Sequence, residues 1–192
     1  MRDIVCCKCI MDNINMNQGA VDDISTYQGA IDIFRKVNCV GQDNCIIGAV
    51  VDTSKSAGFT GAMMGNALGP VGYVVGGVLG RERDQKTSRI YDYFFALLNF
   101  TEVGVGIMPL AGACLKITPE KLRPDYDGFV FYYYQELADI TAKNFYGIRK
   151  SVKTVTITLA NKAKLCFTAN MEEKALPYQI NGMNKFVGRY QK

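Results

Sequence analysis

Residues 57–80, AGFTGAMMGNALGPVGYVVGGVLG, constrain this chain more than any other segment, because they carry no charge and repeat glycine at every fourth position. Two such series follow one another: Gly61, Gly65 and Gly69, and then Gly72, Gly76 and Gly80. On a helix these positions lie nearly in line, and a stripe without side chains lets a second backbone approach closely. We therefore predict a helix-packing segment that associates with copies of itself, which implies a homo-oligomer.

The sequence allows two environments for this segment. The segment resembles the glycine-zipper segments of bacterial envelope and membrane proteins. As one helix it would be about 36 Å long, enough for a hydrocarbon core of about 30 Å. Asn66 and Pro70 oppose insertion, and Pro70 also permits a hairpin of two short helices, 57–68 and 71–79. The alternatives are embedding in or at a membrane, and packing inside a soluble protein.

The rest of the chain divides by pattern into three further regions. Residues 1–56 form a cysteine-containing, helical N-terminal region, with an amphipathic helix over 25–37 that Ser25 caps, and with an apolar run at 46–51 that fits a strand or a helix. Residues 81–89 are a charged linker. Residues 90–192 form a β domain with a C-terminal helix, and its predicted strands are 91–99, 103–110, 113–117, 128–133, 139–144, 152–159 and 164–169.

The β domain resembles the pleckstrin-homology (PH) superfold in its bacterial and GRAM-like variants. The resemblance is carried by the early hairpin FALLNFTEVGVGIMPL, by LKITPEKLRPDYDGFVFYYYQELADITAKN, and by the late hairpin TVTITLANKAKLCFTAN before the terminal helix. It implies an α+β protein in which a seven-stranded antiparallel barrel or sandwich is capped by the C-terminal helix. It also implies a domain that binds lipid headgroups, peptides or other proteins.

Charge is unevenly distributed along the chain. Residues 1–80 hold five Lys/Arg against seven Asp/Glu, whereas residues 81–192 hold seventeen against eleven. The basic half suits an anionic surface such as lipid headgroups, although a solvated surface explains the same balance. Our candidates for binding an anionic ligand are Lys116, Lys121, Arg123, Lys143, Arg149, Lys150 and Lys153.

Cysteine and histidine content limits the chemistry. The chain has no histidine, so Ser–His and Cys–His mechanisms are excluded, and we expect no enzyme activity. Cys6 and Cys9 have C-x-x-C spacing, and with Cys39 and Cys45 they would supply four thiolates for a structural zinc ion. The alternatives are reduced cysteines without a metal, or reversible oxidation near Lys8. No cofactor other than this zinc is expected.

Location and partners follow from the same patterns. The start, MRDIVCCKCIMDN, lacks the features of a signal peptide, so we expect a cytoplasmic protein, attached in one alternative to the inner face of the membrane. The aromatic run at 129–134 lacks the RNA-binding consensus, and no nucleic-acid partner is expected. The leading hypothesis is a non-enzymatic, membrane-associated binding or scaffold protein. The alternatives are a soluble homo-oligomeric assembly protein and a cysteine-based zinc or redox sensor.

Overall fold

The computed structural model describes residues 22–39, 44–51, 89–112, 116–145 and 149–191. Their helices and strands are α1 (Tyr27–Lys36), β1 (Cys45–Val51), β2 (Phe95–Phe100), β3 (Gly104–Ala111), β4 (Arg123–Pro124), β5 (Val130–Tyr133), β6 (Leu137–Phe145), β7 (Arg149–Leu159), β8 (Lys164–Asn170) and α2 (Gln179–Tyr190). The strands form one sheet in the order β4-β3-β2-β1-β8-β7-β6, with β5 also paired to β3. All these pairs are antiparallel. The expected α+β class, with an antiparallel sheet and a C-terminal helix, is confirmed. The glycine-rich segment lies outside the described residues.

Strand β1 lies in the middle of this sheet, although it comes from the N-terminal part of the chain. It pairs with β2 from Cys45↔Asn99 to Ala49↔Phe95, and with β8 at its end, where Val51 pairs with Cys166. All seven of its residues are buried. A strand covered on both faces reads as a continuous apolar run, so periodicity alone left the choice between strand and helix open at 46–51.

The two faces of the sheet belong to two hydrophobic clusters. The inner cluster joins alternate residues of β1, β2, β3, β6, β7 and β8 to Met183 and Phe186 of α2. Because β6 at one end of the sheet and β3 and β5 near the other contribute to one cluster, the sheet curves around it. The outer cluster places the intervening residues of β1, β2 and β3 against Ile33 and Phe34 of α1.

The N-cap of helix α1 lies one residue later than predicted. Thr26 is the N-cap, and its Oγ1 accepts a hydrogen bond from the N–H of Gly29 at 3.1 Å. The prediction that Ser25 caps the helix is wrong, because the backbone N–H and the hydroxyl of Ser25 both donate to Asp23 Oδ1 instead. The helix ends at Lys36, and two residues later Asn38 adopts the left-handed conformation (φ 54°) that asparagine tolerates better than most residues.

Two predicted strands also differ from the structure. In place of the first half of the 91–99 strand, a 3-10 turn at Arg89–Asp92 buries Ile90, and β2 begins at Phe95. Of the predicted strand 113–117, residues 116 and 117 are described, and neither belongs to a β-strand. They lead into the 3-10 turn Pro119–Lys121, which begins at a proline that has no N–H to donate to a neighbouring strand.

Candidate functional site

The chain leaves the sheet and returns to it at the same end. β1 ends at Val51, and the next described residue is Arg89. The residues on either side of this gap are close in space, because the N–H of Val50 donates to Phe94 O at 2.8 Å. Residues 52–88, which include both glycine series, are therefore an insertion between two adjacent antiparallel strands. We call this end of the sheet the insert end.

Three of the predicted anion-binding residues lie together at the insert end. Arg123 pairs with Ala111 at the end of β3, and Lys121 ends the 3-10 turn two residues earlier. Lys116 precedes that turn by three residues. All three are exposed. The Arg123 guanidinium donates to Leu122 O at 2.8 Å, which holds its stem against the domain.

Sequence analysis missed two further lysines at this end. Lys162 is exposed in the turn between β7 and β8, and Lys164 is exposed at the first position of β8. This part of β8 lies beside the end of β1, because Cys166 pairs with Val51. The hydroxyl of Tyr91 donates to Lys164 O and ties this turn to the residues that follow the insertion. In the sequence, the only indication of these lysines was the turn ANKAK at 160–164. The sequence does not show what lies beside a lysine in a turn, because that depends on the order of the strands in the sheet.

An exposed aromatic ring and two acids accompany these cations. Phe94 lies directly before β2 and is 43% exposed, among the largest exposures of a bulky apolar side chain in the described residues. The exposed acids Asp92 and Glu120 lie among the basic residues. A nearby hydrogen bond from the Tyr93 hydroxyl to Asp125, together with desolvation, raises the pKa of Tyr93 to about 12. The insert end thus combines an exposed apolar ring with charges of both signs, among which the positive charges outnumber the negative ones.

The remaining predicted anion-binding residues lie at the opposite end of the sheet. Lys143 and Lys150 are exposed near the junction of β6 and β7. Lys153 is 5% exposed, and its amino group donates to Asn144 Oδ1 at 2.6 Å. Arg149 is the first residue of β7. The predicted anion-binding residues therefore lie in two groups at opposite ends of the sheet, and one of them, Lys153, is buried.

The structure describes two of the four predicted zinc ligands, Cys39 and Cys45. Both are buried and neither is in a disulfide. They lie on two sides of Asn99, which pairs with Cys45 across the ladder and whose amide nitrogen is 4.0 Å from Cys39 Sγ. Cys6 and Cys9 lie outside the described residues. Within the described ranges, no three His, Cys, Asp or Glu side chains are grouped as a metal site would require.

A cleft of about 320 Å³ lies between the start of β6 and the last turn of α2. Its walls are formed by the turn after β5, by the first four residues of β6 and by the end of the helix: Tyr134, Leu137, Ala138, Asp139, Ile140, Arg189, Tyr190 and Gln191. Burial, together with the hydroxyl of Tyr134 3.2 Å away, raises the pKa of the Tyr190 phenol, which therefore stays protonated. The cleft thus offers phenol groups, one cation and one carboxylate.

Comparison with protein-family models, with curated proteins and with solved structures found no match to this chain. Among the described helices, none is long and apolar enough to span a bilayer.

Proposed function

We propose that this protein is a non-enzymatic binding module whose insert end faces an anionic membrane surface, with residues 57–80 contributing apolar contact to the same membrane. The observation that supports this most directly is spatial. The flanks of the insertion that contains the uncharged segment 57–80 emerge at the end of the sheet that carries Lys116, Lys121 and Arg123, together with Lys162 and Lys164. Basic side chains near an anionic bilayer contribute about 1 kcal/mol each.

The placement of the two flanks also limits how the insertion can meet a bilayer. Val50 and Phe94 are joined by a backbone hydrogen bond, so the segment leaves from and returns to the same side of any membrane. A single crossing would require the charged residues 81–88, RERDQKTS, to traverse the hydrocarbon core, which is costly. We therefore propose that any insertion enters and leaves from one side, as in the hairpin alternative that Pro70 permits.

Vesicle sedimentation tests this proposal. The full-length protein is mixed with phosphatidylcholine vesicles that contain or lack phosphatidylserine. We expect sedimentation with the anionic vesicles, and about a tenfold or larger loss of binding when Lys116, Lys121 and Arg123 are all changed to Glu. The matched control reverses charge at the opposite end, Lys143→Glu with Lys150→Glu, and should bind like the parent protein.

Replacing 57–80 with a short polar linker separates the two contributions. The shortened protein should still bind anionic vesicles at low salt but should be released by high salt, because only electrostatic attraction remains. Recovery of the full-length protein in the supernatant with anionic vesicles, in detergent-free buffer, would refute the membrane proposal. A stable homo-oligomer that Gly65→Leu or Gly72→Leu dissociates would then favour the soluble assembly alternative.

A further inference from the structure

The outer edge of β6 ends the sheet. β6 pairs with β7 from Leu137↔Leu159 to Phe145↔Arg149, and no described strand pairs with its other side. Alternate residues of an edge strand direct their N–H and C=O groups away from the sheet. The cleft between β6 and α2 lies along the first part of this edge, at 137–140. Backbone hydrogen-bonding groups therefore line one wall of the cleft.

The chain itself already adds backbone to this edge. Directly after α2, Gln191 forms a parallel bridge with Ala142. In this bridge one extended residue, the C-cap of α2, lies beside the outer side of β6. It also closes the edge at 142 and leaves residues 137–141, which span about 17 Å as a strand, beside the cleft.

A short length of usable edge favours a peptide over a second copy of this chain. The register shifts between Leu137 and Asp139, so Ala138 is an extra residue in β6. Bulges interrupt a ladder and discourage pairing between long strands. Between this bulge and the Gln191 bridge, only a few residues can pair, which suits a short visiting segment.

Arg189 gives the cleft a charge preference. Its guanidinium carbon lies 5.4 Å from the ring centre of Tyr134 and 5.2 Å from that of Tyr190. Tyr134 is fixed in turn, because its hydroxyl donates to Thr101 O at 2.8 Å. Neither of the two ion pairs found among the described residues involves Arg189. The cation is thus held on aromatic faces and is available to a carboxylate.

We propose that this cleft binds an extended peptide bearing one acidic side chain. The peptide adds as a strand to residues 137–141 of β6 and places its carboxylate on Arg189. Main-chain hydrogen bonds supply the affinity, and the charge supplies the selectivity.

Fluorescence anisotropy with the full-length protein tests the proposal. The probe is a fluorescein-labelled nonapeptide of alternating threonine and valine with a central glutamate. We expect saturable binding that weakens about fivefold or more in Arg189→Gln. Lys174→Gln, an exposed lysine remote from the cleft in the fold, is the charge-matched control and should bind like the parent.

Two altered probes and one mapping experiment complete the test. A central lysine should weaken binding, and methylation of alternate backbone nitrogens should abolish it, because strand addition needs those N–H groups. Hydrogen exchange should slow at 137–141 when the glutamate peptide is bound. Equal binding of the glutamate and lysine peptides, unchanged binding in Arg189→Gln, or slowed exchange only elsewhere would overturn the proposal. So would a dimer of the parent protein in sedimentation that, without peptide, already slows hydrogen exchange at 137–141.

Discussion

Replacing Gln179 with methionine should destabilise the protein strongly, because this side chain satisfies the backbone of a strand in the middle of the sheet. Gln179 is fully buried at the start of α2. Its Oε1 accepts from Ile47 N at 2.9 Å, while its Nε2 donates to Ile47 O at 3.0 Å and to Asn170 O at 3.1 Å. The side chain thus takes the place of a neighbouring strand for one residue of β1.

The size of the effect follows from what methionine leaves behind. In a strand, the N–H and C=O of one residue point to the same side, and β8 covers this side of β1 only at Ala49–Val51. Ile47 would therefore lose both its hydrogen bonds. Each buried group without a partner costs about 1–3 kcal/mol, so we expect a loss of about 2–6 kcal/mol. Methionine keeps nearly the same volume, which limits any cavity contribution.

Thermal and urea unfolding measure this loss. For a chain of this size, 1 kcal/mol corresponds to about 2–4 °C, so the midpoint should fall by roughly 4 °C at least and by up to about 24 °C. Gln135→Met is the matched control, because Gln135 is exposed, and it should change stability by less than about 0.5 kcal/mol. A Gln179→Met protein as stable as this control would show that the bridge between α2 and β1 contributes nothing.

Three other predictions concern backbone fit and ionisation. Gly182→Ala should cost about 1–3 kcal/mol in urea unfolding, because a Cβ there would overlap the carbonyl oxygen of Cys45, and an undiminished midpoint would contradict this close approach. Lys162→Gly should raise stability by about 1 kcal/mol, since residue 162 has φ 68°; a lower urea midpoint would argue against strain at that turn. Tyr93 has a folded-state pKa raised to about 12 by its bond to Asp125, so its contribution to stability is complete below about pH 10 and is lost as pH rises toward 12. Ultraviolet titration of the parent against Tyr93→Phe should show this late phenol, and a midpoint near pH 10 would disprove the perturbation.

Local patterns were sufficient for much of the secondary structure. The helix at 27–36 and the hairpin of β7 and β8 match their predicted positions within a few residues, and the predicted terminal helix is present. Each is specified by neighbours in sequence: a helical apolar stripe in the two helices, and alternation around a turn in the hairpin. The cap at Thr26 instead of Ser25 shows the limit, since both residues can accept the same hydrogen bond.

The candidate sites depended on contacts that no local pattern contains. Lys153 and Lys150 look alike as strand lysines, yet one is buried on Asn144 and the other is exposed. The β6 cleft combines Tyr134, Asp139 and Arg189, which are brought together because α2 crosses back to the edge strand. Periodicity indicates which face of an element is apolar, but it does not indicate which distant element covers that face.

The sequence by itself determined the α+β class, the terminal helix and the uncharged, glycine-stepped character of 57–80, because these follow from propensity and spacing along the chain. Only the tertiary structure decided that 45–51 is a central strand, through its pairing with β2 and β8. That pairing turns 52–88 into an insertion with both flanks at one end of the sheet. The reason is physical: strand order is fixed by hydrogen bonds and burial between residues far apart in sequence, and those energies exist only once the sheet has formed.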